Sequence, residues 1–195
     1  MCGRVIVIAG TPGVGKTTLA RRLASILNAK HIDLSALAIE KGLISHYDEE
    51  RESYVIDEHG LVEAVLQFIR QGGDVIIDTH YPEILPDDVV DLVVVLRLHP
   101  FELEKRLRAK KWSWKKIREN VLAEILSVVA INVLQHFSES KIYEVDATGK
   151  DIDELTRIII DIIDNPEKYK PGIYIDWLLE LHPDDIVRYE RNEEN

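Results

Sequence analysis

Residues Gly10-Thr11-Pro12-Gly13-Val14-Gly15-Lys16-Thr17 complete the pattern G-x-x-x-x-G-K-[ST], and with their flanks they constrain the fold more than any other stretch. Before them, Val5-Ile6-Val7-Ile8-Ala9 is an apolar, β-branched run that reads as a buried strand. After them, Thr18-Leu19-Ala20-Arg21-Arg22-Leu23-Ala24 reads as a helix. Between strand and helix, glycines let the backbone curl until its N–H groups face phosphate oxygens, with the positive end of the helix dipole behind them. Lys16 then reaches the outer phosphates, and the Thr17 hydroxyl ligates Mg²⁺. Gly13, Val14, Gly15, Lys16, Thr17 and Thr18 are the candidate residues for holding a nucleoside triphosphate. A glycine-rich turn without a ligand is the competing reading, and the strand and helix on either side weigh against it.

Strand and helix signals alternate along the chain, which predicts a parallel sheet with helices on both faces. Strands are expected at Val5–Ala9, His31–Asp33, Val75–Asp78, Leu92–Arg97 and Ile142–Val145. Helices are expected at Lys16–Ala29, Leu34–Lys41, Gly60–Gln71, Pro100–Lys110 and Asp151–Ile163, with one long helix over Trp114–Phe137. Residues 43–57 are polar and weakly periodic, with Tyr47-Asp48-Glu49-Glu50 at their centre. A linker at Pro166–Gly172 leads to an amphipathic helix over Ile173–Leu181 and a short charged helix over Pro183–Asn195. The tail is expected to pack on the core, because Trp177 and its leucines rarely stay exposed.

A chain of 195 residues, 46% hydrophobic and 30% charged, suits one α/β domain with a small insert and a tail. A single cysteine, Cys2, excludes an internal disulfide framework and a cysteine-based zinc site. No apolar run reaches membrane-spanning length and the first residues are strand and loop, so a soluble, intracellular protein is expected. The net charge of −11 argues against general coating of nucleic acid. That charge is uneven: Phe101–Asn120 carries eight Lys or Arg against three Glu, and Asp151–Asn195 carries five basic against thirteen acidic residues.

Several further residues carry chemistry. Asp78 ends an apolar strand, where ligand sites of parallel sheets gather, and a carboxylate there can hold Mg²⁺ opposite Thr17. His80 could orient a water or contact the transferring phosphate, or be an ordinary loop histidine. Arg97 ends the next strand, where a cation meets phosphate, stacks on a base or is simply solvated. The basic segment with Trp112 and Trp114 reads as a short lid whose cations, Lys110 among them, stabilise charge on a moving phosphate. A solvated helix face and an RNA-touching patch are its alternatives. Glu119-Asn120 and Glu124-Ile125 are expected to anchor lid cations. The turn Asp146–Lys150 could wrap a purine ring or merely join strand to helix.

These pieces in this order resemble the adenylate kinase isoenzyme 6 family, the CINAP-type nucleoside monophosphate kinases of eukaryotic nuclei and archaea. The resemblance rests on Gly10–Leu19, Tyr47–Glu50, Ile56-Asp57-Glu58, Asp78-Thr79-His80, Val95-Leu96-Arg97, Arg106-Leu107, and Glu119-Asn120 with Glu124-Ile125. It spans roughly residues 4–160. It implies a P-loop α/β fold with a five-stranded parallel sheet in the order 2-3-1-4-5. It implies a kinase domain at 1–165, with a monophosphate-binding insert near 34–60 and a lid near 108–118, followed by a helical extension at 166–195. The implied activity is the Mg²⁺-dependent conversion of ATP and AMP to two ADP, together with ATPase activity. Assistance to small-ribosomal-subunit maturation is also implied, with a ribosomal platform protein and rRNA as partners and no membrane. The implied location is the cytoplasm of an archaeal cell, or the nucleus if the source is eukaryotic.

Carried over by the resemblance, Lys16 and Thr17 hold phosphates and Mg²⁺, Asp78 and His80 form a variant Walker B pair, Arg97 lies by the adenine, and Thr148–Lys150 form its turn. Lys16, Asp78, His80 and Lys110 are thus the candidate catalytic residues, with Arg97 and Lys150 joining the loop in nucleotide binding and Thr17 and Asp78 taking the metal. Two positions depart from the family. Ile39 stands where an Arg often grips the monophosphate, and Lys110-Lys111-Trp112 replaces an Arg-Gly-aromatic sequence. An ATPase gated by a ribosomal partner and a kinase with a non-nucleotide acceptor are the alternative functions.

Overall fold

The strand leading into the phosphate loop, Val5–Ala9 (β1), is wholly buried and takes the centre of a five-stranded parallel sheet. In this computed structural model, residues 3–48 and 53–190 are described. Cys2, Glu49 and Glu50 of the acidic motif, and residues 191–195 of the expected last helix lie outside them. The other strands of the sheet are Lys30–Asp33 (β2), Val75–Thr79 (β5), Leu92–Arg97 (β6) and Ile142–Asp146 (β7), arranged β2-β5-β1-β6-β7. Counted within this sheet alone, the order is the expected 2-3-1-4-5. Ile44–Asp48 (β3) and Ser53–Ile56 (β4) form a separate antiparallel hairpin.

Alternation along β1 sorts its side chains between two cores. Ile6 and Ile8 face one side, with Leu19 and Leu23 of α1 (Lys16–Leu27), Leu103 and Leu107 of α4 (Pro100–Ala109), and Leu155 and Ile159 of α7 (Ile152–Asp164). Val5, Val7 and Ala9 face the other, with Leu34 and Leu37 of α2 (Leu34–Glu40) and Leu61 and Val65 of α3 (Glu58–Arg70). Each of these Val, Leu and Ile side chains, fully buried, contributes about 1.5–3 kcal/mol. Side-chain caps start several helices: Asp33 accepts from Ala36 N, Asp57 from Gly60 N and Asp151 from Glu154 N. No helix among the described residues is long and apolar enough to cross a membrane.

Three elements differ from the sequence reading. The expected long helix is two, α5 (Trp114–Ile125) and α6 (Val128–His136), broken at Ser127 with φ 56°. The break carries the chain from one sheet face to the other. Ile117, Val121 and Ile125 belong to the first core, whereas Val129, Ala130 and Val133 belong to the second. An unbroken apolar period hides this crossing. The polar stretch at 43–57 contains the hairpin, whose strands are too short and mixed to announce themselves. Of the helix expected over Ile173–Leu181 only Trp177–Glu180 (α8) is helical, ahead of α9 (Pro183–Glu190). It packs on the core through Trp177, Leu181 and Tyr189, all buried.

Candidate active site

All five parallel strands end on one side, and the loops that carry chemistry leave from there. The phosphate loop turns tightly enough that only glycine fits at two positions. Gly10 has φ 147°, and a Cβ on it would lie 2.4 Å from the Leu96 carbonyl oxygen. Gly13 has φ 99°, and its Cβ would meet Leu107 Cδ2 at 2.6 Å. Val14 anchors the loop with a buried side chain, and its carbonyl accepts from Arg106 Nη1 at 2.9 Å. Gly15 is the left-handed residue before α1. Thr18 is exposed on the first turn of that helix.

Lys16 is 8% exposed, and its Nζ donates to the Thr11 carbonyl at 3.1 Å. Burial pushes its ammonium pKa down to about 8, against the opposing pull of Asp78, Glu124 and Asp33, while the nearby charge of Lys110 pushes the same way as burial. The cation is therefore poorly compensated. A polyphosphate placed in the loop would supply the missing negative charge.

Asp78 is buried between two partners. Its Oδ2 accepts from the Thr17 hydroxyl at 2.5 Å, and its Oδ1 lies 2.7 Å from His31 Nε2. The hydroxyl and carboxylate are hard oxygen donors, the chemistry Mg²⁺ takes. Among the described residues no group of three or more His, Cys, Asp or Glu could hold a metal by itself. The donor set therefore fits a Mg²⁺ that Thr17 and Asp78 would share with phosphate oxygens and water, rather than one caged by protein. His31 was not singled out from the sequence. Its only signal is a place on the strand paired with β5, and the register that brings its ring to Asp78 is a tertiary fact.

His80 leaves β5 two residues after Asp78 and lines a cleft of about 910 Å³ beside the loop. Thr11, Pro12, Ser35, Tyr81, Lys116 and Asn132 also line it. Burial pushes the His80 pKa down to about 4, helped by the charges of Lys16 and Lys116 and opposed by Asp78. The imidazole is thus neutral near pH 7 and keeps an unprotonated nitrogen. The expected lid is short. Lys110 ends α4, Lys111 has φ 58°, and Ser113 caps α5. Lys116 Nζ lies 4.9 Å from the centroid of the Trp112 ring, so cation and aromatic wall the cleft together.

The structure corrects the expectation for Arg97. It is 1% exposed and lies beneath the site, not on it. Nε donates to Glu124 Oε1 (2.8 Å), Nη1 to Glu144 Oε1 (2.6 Å) and Ile175 O (3.3 Å), and Nη2 to Glu124 O (3.0 Å) and Ser127 Oγ (2.9 Å). With its donors so engaged, Arg97 has none left for an adenine or phosphate. Glu124 is corrected with it, since its carboxylate anchors Arg97 and Thr11 instead. Asn120 donates to Lys116 O within its own helix. Lys150 closes the turn after β7, its N–H donating to Ala147 O. That turn is braced on the start of α4, where the Thr148 hydroxyl accepts from His99 N and Gly149 N donates to Glu102.

A central parallel sheet with a glycine loop, buried lysine, and threonine–aspartate pair at its strand ends defines a P-loop kinase-like α/β enzyme. Solved structures share the fold. A shikimate kinase from Bacteroides thetaiotaomicron matches with a TM-score of 0.58 at 20% identity, covering 83% of this chain and 98% of that one. A thymidylate kinase from Candida albicans matches at 0.53 and 18% identity, covering 89% and 96%. A family model described as an AAA domain matches residues 6–127. Proteins named "Putative adenylate kinase" are more similar in sequence. That of Saccharolobus solfataricus is 38% identical over 189 residues, 96% of this chain and 99% of its own length. That of Pyrococcus furiosus is 39% identical over 173 residues, 89% and 91%. The chain belongs to this archaeal adenylate kinase family, and it is an enzyme of the adenylate and nucleoside monophosphate kinase group.

Proposed function

We propose that the enzyme transfers the γ-phosphoryl group of ATP to AMP, giving two ADP. The observation that carries this reading is the cleft at the mouth of the phosphate loop, walled by Lys116 and Trp112 and floored by Ser35, Tyr81 and Asn132. It offers space for an acceptor within reach of the outer phosphate. An oxygen of the monophosphate attacks the γ-phosphorus as the bond to the β-phosphate oxygen breaks, and ADP departs with that electron pair. The acceptor oxygen is already anionic, so no strong base is needed. Lys16 neutralises charge on the phosphates. Thr17 and Asp78 would hold Mg²⁺, which when bound adds charge neutralisation of the same kind. Lys116 lines the cleft and the charge of Lys110 reaches Lys16, so both would bear on the transferring phosphate, and the turn at Thr148–Lys150 would support the base of ATP.

A second reading is favoured by the neutral, half-buried His80 beside the loop. Its free nitrogen suits the orientation of a water, so ATP hydrolysis would accompany or replace transfer. Ile39, 59% exposed on α2, supplies no charge to grip a monophosphate and supports the same alternative. The ribosomal platform protein and rRNA implied by the resemblance belong to this reading. One incubation separates the two. The protein is given Mg·ATP alone and with each monophosphate, and nucleotides and free phosphate are resolved by chromatography. ADP formed chiefly with AMP, without free phosphate, is the expected result. Free phosphate released regardless of AMP would make hydrolysis the main activity and direct attention to a ribosomal partner.

A further inference from the structure

The Glu124 carboxylate joins two parts of the chain that have no contact through the chemistry above. Its Oε2 accepts from the hydroxyl of Thr11, inside the phosphate loop, at 2.5 Å. Its Oε1 accepts from Arg97 Nε at 2.8 Å, Leu98 N at 3.2 Å and the indole Nε1 of Trp177 at 3.1 Å. Glu124 is 2% exposed, Thr11 1% and Trp177 3%, so none of these bonds competes with bulk water. Thr11 is thus held at both ends, its hydroxyl by Glu124 and its carbonyl by Lys16. Trp177 belongs to the C-terminal segment. That segment is docked on the same network upstream, where Ile175 O accepts from Arg97 and the N–H groups of Tyr174 and Ile175 donate to Glu144.

We propose that Glu124 is a positioning residue for the phosphate loop and that Trp177 sets its carboxylate, so that nucleotide binding and seating of the C-terminal segment are coupled. The proposal rests on the reading of Gly10–Thr17 as the nucleotide site. The physical argument is preorganisation. Three donors converge on Oε1 and aim Oε2 at Thr11. Without the indole N–H the carboxylate loses one of these fixed directions, and Thr11 loses a fixed acceptor. A loop that must then be ordered at the moment of binding binds more weakly. Coupling of two binding events is reciprocal, so nucleotide in the loop must tighten the seat of Trp177 by the same factor.

The test uses the full chain and Mg·ADP, which binds without turnover. Affinity is measured by titration calorimetry for the wild type, Thr11→Val, Trp177→Phe and the double variant. Amide hydrogen exchange of residues 173–181 is followed with and without the nucleotide. Each single variant is expected to weaken binding about fivefold or more. The double variant is expected to be no weaker than the worse single, because both act through one carboxylate. Thr11→Ser, which keeps the hydroxyl, should restore affinity. Mg·ADP should slow exchange in the tail of the wild type and leave that of Thr11→Val unaffected. The exchange arm holds even if Trp177→Phe loosens the tail, since Thr11→Val alters no residue of the tail. Additive losses, or a tail whose exchange ignores nucleotide, overturn the proposal while the nucleotide site stands. A wild type that fails to bind Mg·ADP overturns the nucleotide reading and the proposal together.

Discussion

The Thr17 hydroxyl donates to Asp78 at 2.5 Å, a bond between residues 61 positions apart in the chain. β1 and β5 are paired so that Ile8 is level with Asp78, which places the carboxylate beside the start of α1. On its other side Asp78 meets His31, so both its oxygens are directed before any ligand arrives.

Replacing Asp78 by Asn keeps the shape and removes the charge. Mg²⁺-dependent turnover should fall by about a hundredfold or more, because a neutral amide is a poor partner for a hard cation. Binding of ATP in the presence of a chelator should change far less. Turnover assays with nucleotide titrations in excess chelator check both, and equal losses in the two would refute a metal role for Asp78.

Lys16 supplies a pH signature. Its ammonium pKa is pushed to about 8 by burial, and phosphates in the loop favour the charged form. Nucleotide binding above pH 8 should therefore take up a proton, and near pH 7 this uptake should shrink because Lys16 is already charged. Titration calorimetry at pH 8.5 in two buffers of unlike ionisation enthalpy gives the number of protons. Identical heats in the two buffers would contradict the shift.

His80 predicts how acid acts on the fold. Its folded pKa is about 4 against an ordinary 6.5. Between these values the unfolded chain holds a proton that the folded one does not, so stability falls as pH drops from about 6.5 towards 4. Denaturant melts across that window should show the slope, and His80→Gln should flatten it. A variant with the wild-type slope would assign the effect elsewhere.

Tyr189 pins the last helix. Its hydroxyl donates to Glu104 Oε2 at 2.6 Å, and Arg188 Nη2 donates to the same oxygen at 2.6 Å. Tyr189→Phe removes one hydrogen bond to a charged group in a buried place, at a cost of about 1.5–3 kcal/mol. Urea unfolding would register it as a lower midpoint at constant slope, whereas an unchanged midpoint would show the contact to be idle.

What could be read before the fold was known followed from local pattern. Gly10–Thr17, the apolar strands and the alternation of elements carry short-range signals, and they lead to a parallel sheet with helices on both faces, whereas the strand order follows only from the family resemblance. Asp78 is legible as a candidate because strand ends collect ligands. Arg97 misled for the same reason. Its position at a strand end matches that of a site residue, but Glu124, Glu144 and the tail turn it inward, and those contacts span 27 to 78 positions. The break at Ser127 was invisible because the apolar period runs through it, and only the change of sheet face reveals it. His31, Trp177 and the double role of Glu124 depend on register and on where the tail lies, which no local pattern encodes.

The tail's contact with β7 also shapes the sheet's rim. Gly172 makes a lone parallel bridge with Tyr143, and its N–H donates to Ile142 O at 2.8 Å. β7 is the outermost strand on that side, and its backbone would otherwise offer unpaired groups to any passing strand. One residue of bridge, followed by the Tyr174 and Ile175 N–H groups turned onto Glu144, blocks that template without adding a sixth strand. The segment thereby guards the molecule against edge-to-edge self-association, and at the opposite rim β2 is kept to four residues.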